Sequence, residues 1–400
     1  MIKNYKMIRI LTLILFAILF NSCKKPIIKD TNNCSTNYND TSSLHPQNSQ
    51  LKDLLNKYKQ LGLPGISVYI ANTKGSWIGS TGSADIANGV NYKPCHVQKV
   101  ASLTKMFIGA LLFKLIEDST NTGLGYLSLS QPINKWIPEK FLKGIANADK
   151  ITLAQCLNHS SGLYDVIKDN EFYLEVLNDP TKKWGPDDLL KFVKNKQAVF
   201  DPGAKYSYSN TNTLMVSLVI DFATGKPHHL WLREKILNPL NLNNTFYQHH
   251  ENLPSNTAQG YFDLYQNKKP VNVSNYVTGS GSGYTGLYSN VYDLHKFLHA
   301  FLVDKTVVST KSLQAIQTTG ATDISDLNLG LGIMRRFQNR GADFGWGHTG
   351  RDLGYSADLF YFPARNASVT WCINYGSDAE SFLKPKILAF QKELIDIVLQ

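Results

Sequence analysis

The sequence predicts an α/β (α+β) protein: one antiparallel sheet flanked by helices, with a mainly helical lobe inserted into it. Three observations predict this. Strand-like runs lie near both ends of the chain, at 65–71, 76–82, 331–337, 344–347, 356–362 and 368–374. A long stretch of helical patterns and loops separates them, including 153–157, 187–193, 213–222, 230–237 and 291–302. Helical periodicity also opens and closes the region, at 51–61 and roughly 380–399. Strands from both ends of a chain complete a single sheet when the helices between them pack as a second layer.

Taken in order, residues 1–22 read as an export signal. Lys3, Lys6 and Arg9 form a basic start, and an apolar run of eleven follows at 10–20. That run is too short to span a bilayer. It ends in Phe20-Asn21-Ser22-Cys23, which resembles a bacterial lipobox. The resemblance implies diacylation of Cys23, and hence an exported, membrane-anchored lipoprotein facing the periplasm or cell surface. Residues 23–50 are rich in Lys, Asn, Ser and Thr, a composition expected of a flexible tether. Residues 51–400 then form one folded unit, with a sheet lobe over about 51–95 and 325–400 and a helical lobe over about 96–324. Within it, Asn72-Thr73-Lys74-Gly75 is a hairpin signal between the first two strands.

The formal charge is +10, scattered along the chain. No basic stripe interleaved with aromatics is present, which speaks against nucleic acid as a partner. Apart from Cys23 the cysteines are Cys34, Cys95, Cys156 and Cys372. Export permits disulfides, and a Cys34–Cys95 bridge would pin the tether to the body, but free buried cysteines satisfy the sequence equally well. The pairs His228-His229 and His249-His250 lack metal-ligand spacing and read as surface residues, so no metal or other cofactor is expected.

Three short strings carry chemistry. Ser-x-x-Lys occurs four times, at Ser22, Ser49, Ser102 and Ser381, so context must choose among the copies. Ser102 and Lys105 open a stretch, 96–118, that is apolar on almost every side, the pattern of a helix in the centre of a large protein. Three residues apart, they share one helix face. The free N–H groups and positive dipole end of the helix start can support a developing anion. A lysine on a buried face is costly unless paired.

Tyr-x-Asn occurs at Tyr208, Tyr265 and Tyr288. Tyr208-Ser209-Asn210 lies between the strong turn Phe200-Asp201-Pro202-Gly203 and a helix start, which holds it rigidly. Tyr288 also precedes a helix and is its rival; Tyr265 sits among polar loop residues. An ammonium beside the Tyr208 phenol would favour its anion, so Lys105 or Tyr208 could take a proton from Ser102. The third string, Gly345-Trp346-Gly347-His348-Thr349-Gly350, reads as a strand thinned by glycines, a mark of close approach by a ligand or backbone. The N–H of Arg351 could join that of Ser102 as an oxyanion hole, where one donor contributes about 3–4 kcal/mol.

With these residues in place, the chain resembles the serine β-lactamase and penicillin-binding-protein superfamily, in its class C β-lactamase-like branch of D-alanyl-D-alanine carboxypeptidases, D-aminopeptidases and esterases. Residues 51–400 carry the resemblance. Leu157-Asn158-His159-Ser160-Ser161-Gly162-Leu163 resembles the family's His-Thr-Ser-Gly-Leu segment, and Gly286-Leu287-Tyr288-Ser289 before Asp293-Leu294 a family helix entry, which accounts for Tyr288. The resemblance implies a β-lactamase/transpeptidase-like fold and a serine hydrolase working through a Ser102 acyl-enzyme. Lys105 and Tyr208 would move protons. Asn210, His348, Thr349, Gly350 and Arg351 would bind substrate: a small peptide containing D-amino acids, an ester or a β-lactam. His348 stands where a β-lactamase usually has Lys, which favours the peptidase and esterase members. Arg351 stands where Gly is usual, and is expected to bind a C-terminal carboxylate through its guanidinium. The alternatives are a β-lactamase proper and a catalytically weak penicillin-recognising sensor.

Overall fold

The computed structural model describes residues 26–35 and 40–400. A helix, Asn48–Gln60, packs Leu51, Leu54, Leu55 and Tyr58 inward before the chain enters the sheet. Strands β1 (Gly65–Asn72) and β2 (Gly75–Asp85) form the predicted hairpin, and Gly75 takes the left-handed φ of 120° that its turn requires. Then come β3 (Val90–Asn91), β4 (Gln98–Lys99), β5 (Phe246–Tyr247), β6 (Tyr261–Phe262), β7 (Val271–Asn272), β8 (Leu287–Ser289), β9 (Gly320–Ala321) and β10 (Leu327–Leu329). The chain ends with β11 (Met334–Arg336), β12 (Gly345–Arg351), β13 (Ser356–Phe362), β14 (Ala367–Ile373) and the helix Lys384–Val398.

The main sheet has the order β3-β2-β1-β14-β13-β12-β11-β10-β9, with antiparallel neighbours throughout. The first and last long strands therefore meet at its centre, where Val68 pairs with Trp371 and Tyr69 with Thr370. Side-chain alternation divides the core into two. Val68, Phe360 and Trp371 face the two terminal helices, whereas Tyr69, Leu359 and Cys372 face the inserted lobe. Both faces are covered, so β14 is buried along its whole length. The segment between β3 and β9 is mainly helical, with a small sheet of order β4-β8-β5 and the β6–β7 ribbon.

At the heart of the lobe runs the helix Leu103–Glu117, buried on nearly every face as its all-round apolar pattern predicts. Phe107 stacks on Phe297 at 3.7 Å between ring centroids; truncating such a ring costs about 3–5 kcal/mol. Two glycines bring this helix close to the sheet. A Cβ on Gly109 would lie 3.1 Å from Gly332 Cα, and one on Gly350 would lie 2.2 Å from Val100 O. Only a bare Cα lets β12 come this close to the turn that presents Ser102.

Three expectations need correction. The expected tether at 23–50 is not free over its described part. Ile28 and Thr31 are buried, Thr31 Oγ1 donates to Thr257 O at 2.7 Å, and Cys34 is bridged to Cys95. The Cys34–Cys95 link and a few inward side chains hold a segment of polar composition against the body. The expected strand at 331–337 is shortened to β11, Met334–Arg336, because a turn at Gly330–Gly332 that packs against Gly109 takes up its first residues. Finally, His228 is not a surface residue: it is buried, with Nδ1 2.9 Å from Asp221 Oδ1 and Nε2 3.2 Å from the Tyr247 hydroxyl. The proposed lipidation site, Cys23, lies outside the described residues.

Candidate active site

Ser102 stands at the mouth of the Leu103–Glu117 helix, directly after Ala101, whose φ of 50° is unusual for a residue with a Cβ. The turn is held by Val100 N donating to Leu287 O at 2.9 Å and Leu287 N donating to Thr104 Oγ1 at 3.1 Å. β8, the strand after Gly286, thereby fixes the serine. One helical turn on, Lys105 is almost fully buried, and its Nζ donates to Ser102 Oγ at 2.9 Å, Asn210 Oδ1 at 2.7 Å and Tyr284 O at 2.8 Å. Burial lowers its pKa to about 7, against the opposing pull of Asp165, Asp378 and Asp352. A buried amine whose pKa is lowered to about 7, and which touches a serine hydroxyl, is neutral in a substantial fraction near pH 7 and is equipped to accept that hydroxyl's proton.

Tyr208 comes to the same place from the far side of the lobe. Its loop is clamped to the 157–163 segment: Ser207 N donates to His159 O at 2.9 Å, Gly203 N to Ser160 O at 2.8 Å and Val199 N to Gly162 O at 2.8 Å. Gly162 has no alternative here, because its φ is 74° and a Cβ would collide with Phe200 O at 1.9 Å. The His159 ring stacks on Tyr208 at 4.5 Å. Burial, and then Lys105, pull the His159 pKa to about 3, so its neutral Nδ1 accepts from Ser209 N and Asn212 Nδ2. The Tyr208 ring lies 4.9 Å from Lys105 Nζ, and its hydroxyl hydrogen-bonds with Ser102.

The expectation that Lys105 stabilises a Tyr208 phenolate is corrected. Burial drives the phenol well above its usual value, and the Asp165 and Asp378 carboxylates push it further; the Ser102 bond opposes them only in part. Tyr208 therefore holds its proton, and Lys105 is the group poised to lose one.

Asn210 is likewise oriented from within. Its Oδ1 takes the Lys105 ammonium, while its backbone N and Nδ2 donate to Asp165 at 3.0 and 3.2 Å. It joins a buried cation to a buried carboxylate, and its amide is not free for a substrate as expected. Asp165, two residues beyond the quoted segment that ends at Leu163, was not singled out from the sequence, although its closeness to that segment was the available signal.

On the third side, β11 pairs only with Gly345–Gly347, leaving the outer edge of His348–Arg351 open. Asp352 N donates to Tyr355 O at 2.9 Å, so antiparallel alternation turns the N–H groups of Gly350 and His348 towards β13 and those of Thr349 and Arg351 towards the open edge. The Arg351 N–H thus faces the cleft, beside the free N–H of Ser102 at its helix start.

His348 is buried, and its Nδ1 lies 2.7 Å from Thr349 O. Burial first, then Lys105, hold it well below its ordinary pKa, so it is neutral. Thr349 lines the cleft, with its hydroxyl 3.8 Å from Met334 Sδ.

The guanidinium of Arg351 does not reach out as expected. Its Nη1 donates to Gly350 O, Ala357 O and Asp358 Oδ1 at 2.8, 2.8 and 2.7 Å, and its plane lies 5.2 Å from the Trp371 ring. A buried carboxylate one strand away already neutralises it.

The cleft enclosed by these elements holds about 360 Å³. Its lining combines Ser102, Tyr208 and Asn210 with the apolar Ile167, Leu327 and Met334 and the polar Asp352, Asp378 and Tyr173. Lys99, buried beneath it, pairs with Asp352 at 2.9 Å and donates to Thr278 Oγ1 at 2.7 Å. Asp378 and Tyr173 gave no sequence signal, because they reach the cleft from distant elements, Tyr173 from the helix Asn170–Asn178 and Asp378 from the loop after β14. Among the described residues, the one set of candidate metal ligands, Cys34, Cys95 and His96, includes both disulfide sulfurs.

Over 249 residues the chain is 28% identical to unguisins hydrolase ungD' of Aspergillus campestris, covering 60% of this chain and 44% of that protein. It is 24% identical over 258 residues to the D-alanyl-D-alanine-carboxypeptidase/endopeptidase AmpH of Escherichia coli K12, covering 64% of this chain and 62% of that protein. The match thus spans less than two thirds of either curated relative. Among solved structures, a D-stereospecific amidohydrolase from a Streptomyces species superposes with a TM-score of 0.71 at 25% identity, over 82% of this chain and 94% of that one. The family model described as Beta-lactamase matches residues 51–392, and the chain belongs to that family.

Proposed function

We propose that this protein is a serine hydrolase that forms an acyl-enzyme on Ser102 and cleaves amides or esters of D-amino acids or of peptides containing them. The contact between Ser102 Oγ and a lysine whose pKa has fallen to about 7 carries the reading. Neutral Lys105 takes the Ser102 proton as Oγ attacks the substrate carbonyl. The N–H groups of Ser102 and Arg351 donate to the developing oxyanion. Tyr208 keeps its proton and hydrogen-bonds to Oγ; it passes a proton to the departing amine or alcohol and is resupplied from Lys105. Water then attacks the acyl-enzyme by the reverse route. The family membership and the D-stereospecific amidohydrolase among the structural relatives support the D-amino-acid substrate class.

A penicillin can acylate the same serine, but neutral His348 and the Arg351–Asp358 pair leave its carboxylate without the cation a dedicated β-lactamase offers. The test is intact mass after treatment with a fluorophosphonate or a fluorescent penicillin. One adduct is expected on the wild type and none on Ser102→Ala. An unmodified wild type, or an adduct that survives the substitution, overturns the reading. The same proposal places the protein outside the cytoplasm, anchored through Cys23; the Cys34–Cys95 disulfide is compatible with that oxidising setting.

A further inference from the structure

The cleft has a charge left over after its internal pairs are removed. Arg351 is paired with Asp358 and Lys99 with Asp352. Asp165 accepts from the backbone N–H and side-chain amide of Asn210, which engage it whether or not Lys105 carries a proton. Asp378 remains: among the described residues no cation lies within ion-pair distance of it, and its recorded partner is the Tyr173 hydroxyl, which donates to Oδ2 at 2.7 Å. It lines the same cleft as Ser102 and acts electrostatically on both Lys105 and Tyr208, so it stands close to the reacting centre. Lys168 also lines the cleft, but it is exposed at the rim, where solvent screens it.

We propose that the cleft selects substrates with a free ammonium group, which docks on Asp378 and Tyr173, and an apolar side chain, which lies against Ile167, Ile324 and Leu327. The substrate class is then an N-terminally unblocked, apolar D-amino-acid amide or ester, in place of a peptide recognised by its C-terminal carboxylate. This inference rests on the hydrolase reading above. Burial, with Asp352 and Asp165 nearby, holds the Asp378 carboxyl above its usual pKa, and an incoming ammonium favours its charged form. The apolar wall comes from Ile167 and from the β9–β10 hairpin, whose tip leaves Ile324 57% exposed beside the cleft. An exposed isoleucine at a cleft mouth gains most when a bound apolar group covers it. Tyr173 remains a neutral phenol, so it adds no second negative charge.

The test compares kcat/KM of the full chain on D-phenylalaninamide and N-acetyl-D-phenylalaninamide. The wild type is expected to prefer the free amine by about 30-fold or more, the scale of a desolvated charge pair. In Asp378→Asn, nearly the same size, that preference falls towards one, with thermal melting as the check on folding. If the variant fails to fold, the wild-type pair of substrates still decides. A Ser102 that labels fully with fluorophosphonate while the free amine gains no preference, or is not cleaved, overturns the ammonium site and leaves the hydrolase standing. An unlabelled Ser102 with no turnover sinks both.

Discussion

Asn210 joins two buried charges: its Oδ1 lies 2.7 Å from Lys105 Nζ, and its Nδ2 reaches the Asp165 oxygens at 3.2 and 3.3 Å. A side-chain amide has one acceptor end and one donor end, so the two charges fix which way it points. Lys105 is thereby held against Ser102 by a residue whose own orientation is set from behind.

The first prediction concerns pH. Lys105 must be neutral to accept a proton, and its pKa is lowered to about 7. Below that value it is protonated, so kcat/KM is expected to be low in acid, rise through about pH 7 and level off above. Lys105→Arg keeps its charge at every accessible pH and should lose about 10²–10⁴ in kcat/KM. A profile flat from pH 5 to 9 would remove Lys105 as the base.

Asp165 acts on that profile from a distance. It raises the lysine pKa, so neutralising it in Asp165→Asn should shift the acid limb to lower pH. The plateau should fall as well, by about tenfold, because one of the two oxygens that accept from Asn210 becomes an NH2 donor. A lower plateau with the limb in its original place would show Asp165 to be structural only.

Arg351→Ala is a stability mutation on this geometry. Asp358 is 2% exposed, accepts from Arg351, and is also bonded by Gln391 of the C-terminal helix. Removing the guanidinium leaves a buried carboxylate without its cation, at a cost of about 3–5 kcal/mol. Thermal melting should show the loss, and a D-alanyl-D-alanine peptide and its amide should suffer equally. A selective loss on the free carboxylate would restore Arg351 as a recognition residue.

The disulfide makes its own prediction. Cys34 and Cys95 are 61 residues apart, and such a bridge stabilises by about 2–4 kcal/mol. Cys34→Ser should lower the melting temperature and open residues 26–35 to limited proteolysis. Unchanged cleavage would mean that the Ile28 and Thr31 contacts alone hold that segment.

For the anchor, Cys23→Ser expressed in a lipoprotein-processing bacterium should move the protein from the membrane to the soluble fraction and abolish radiolabelled palmitate incorporation. Membrane retention without label would rule out the Cys23 anchor.

The parts legible in the sequence share a cause. The Leu103–Glu117 helix is apolar all round, so its place at the centre and the position of Ser102 at its start follow from local pattern. The hairpin of β1 and β2 and the closing helix Lys384–Val398 have periodicities that survive into the fold. The shortening of the strand expected at 331–337 was not legible, because the turn at its start answers to Gly109 on a helix more than two hundred residues earlier. The polar composition of residues 26–35 hid their attachment, since one disulfide and a few contacts outweigh a hydrophilic average.

By itself the sequence determined which residue types were available and in what order: a serine and a lysine on one helix turn, a clamped tyrosine, and a glycine-thinned strand. Tertiary structure alone decided their charge states and partners. Burial made Lys105 the base and kept Tyr208 protonated, strand alternation gave Arg351 to Asp358, and folding brought Asp378 to the cleft. The reason is that desolvation and Coulomb interactions act through space, between groups whose separation along the chain carries no information about their distance.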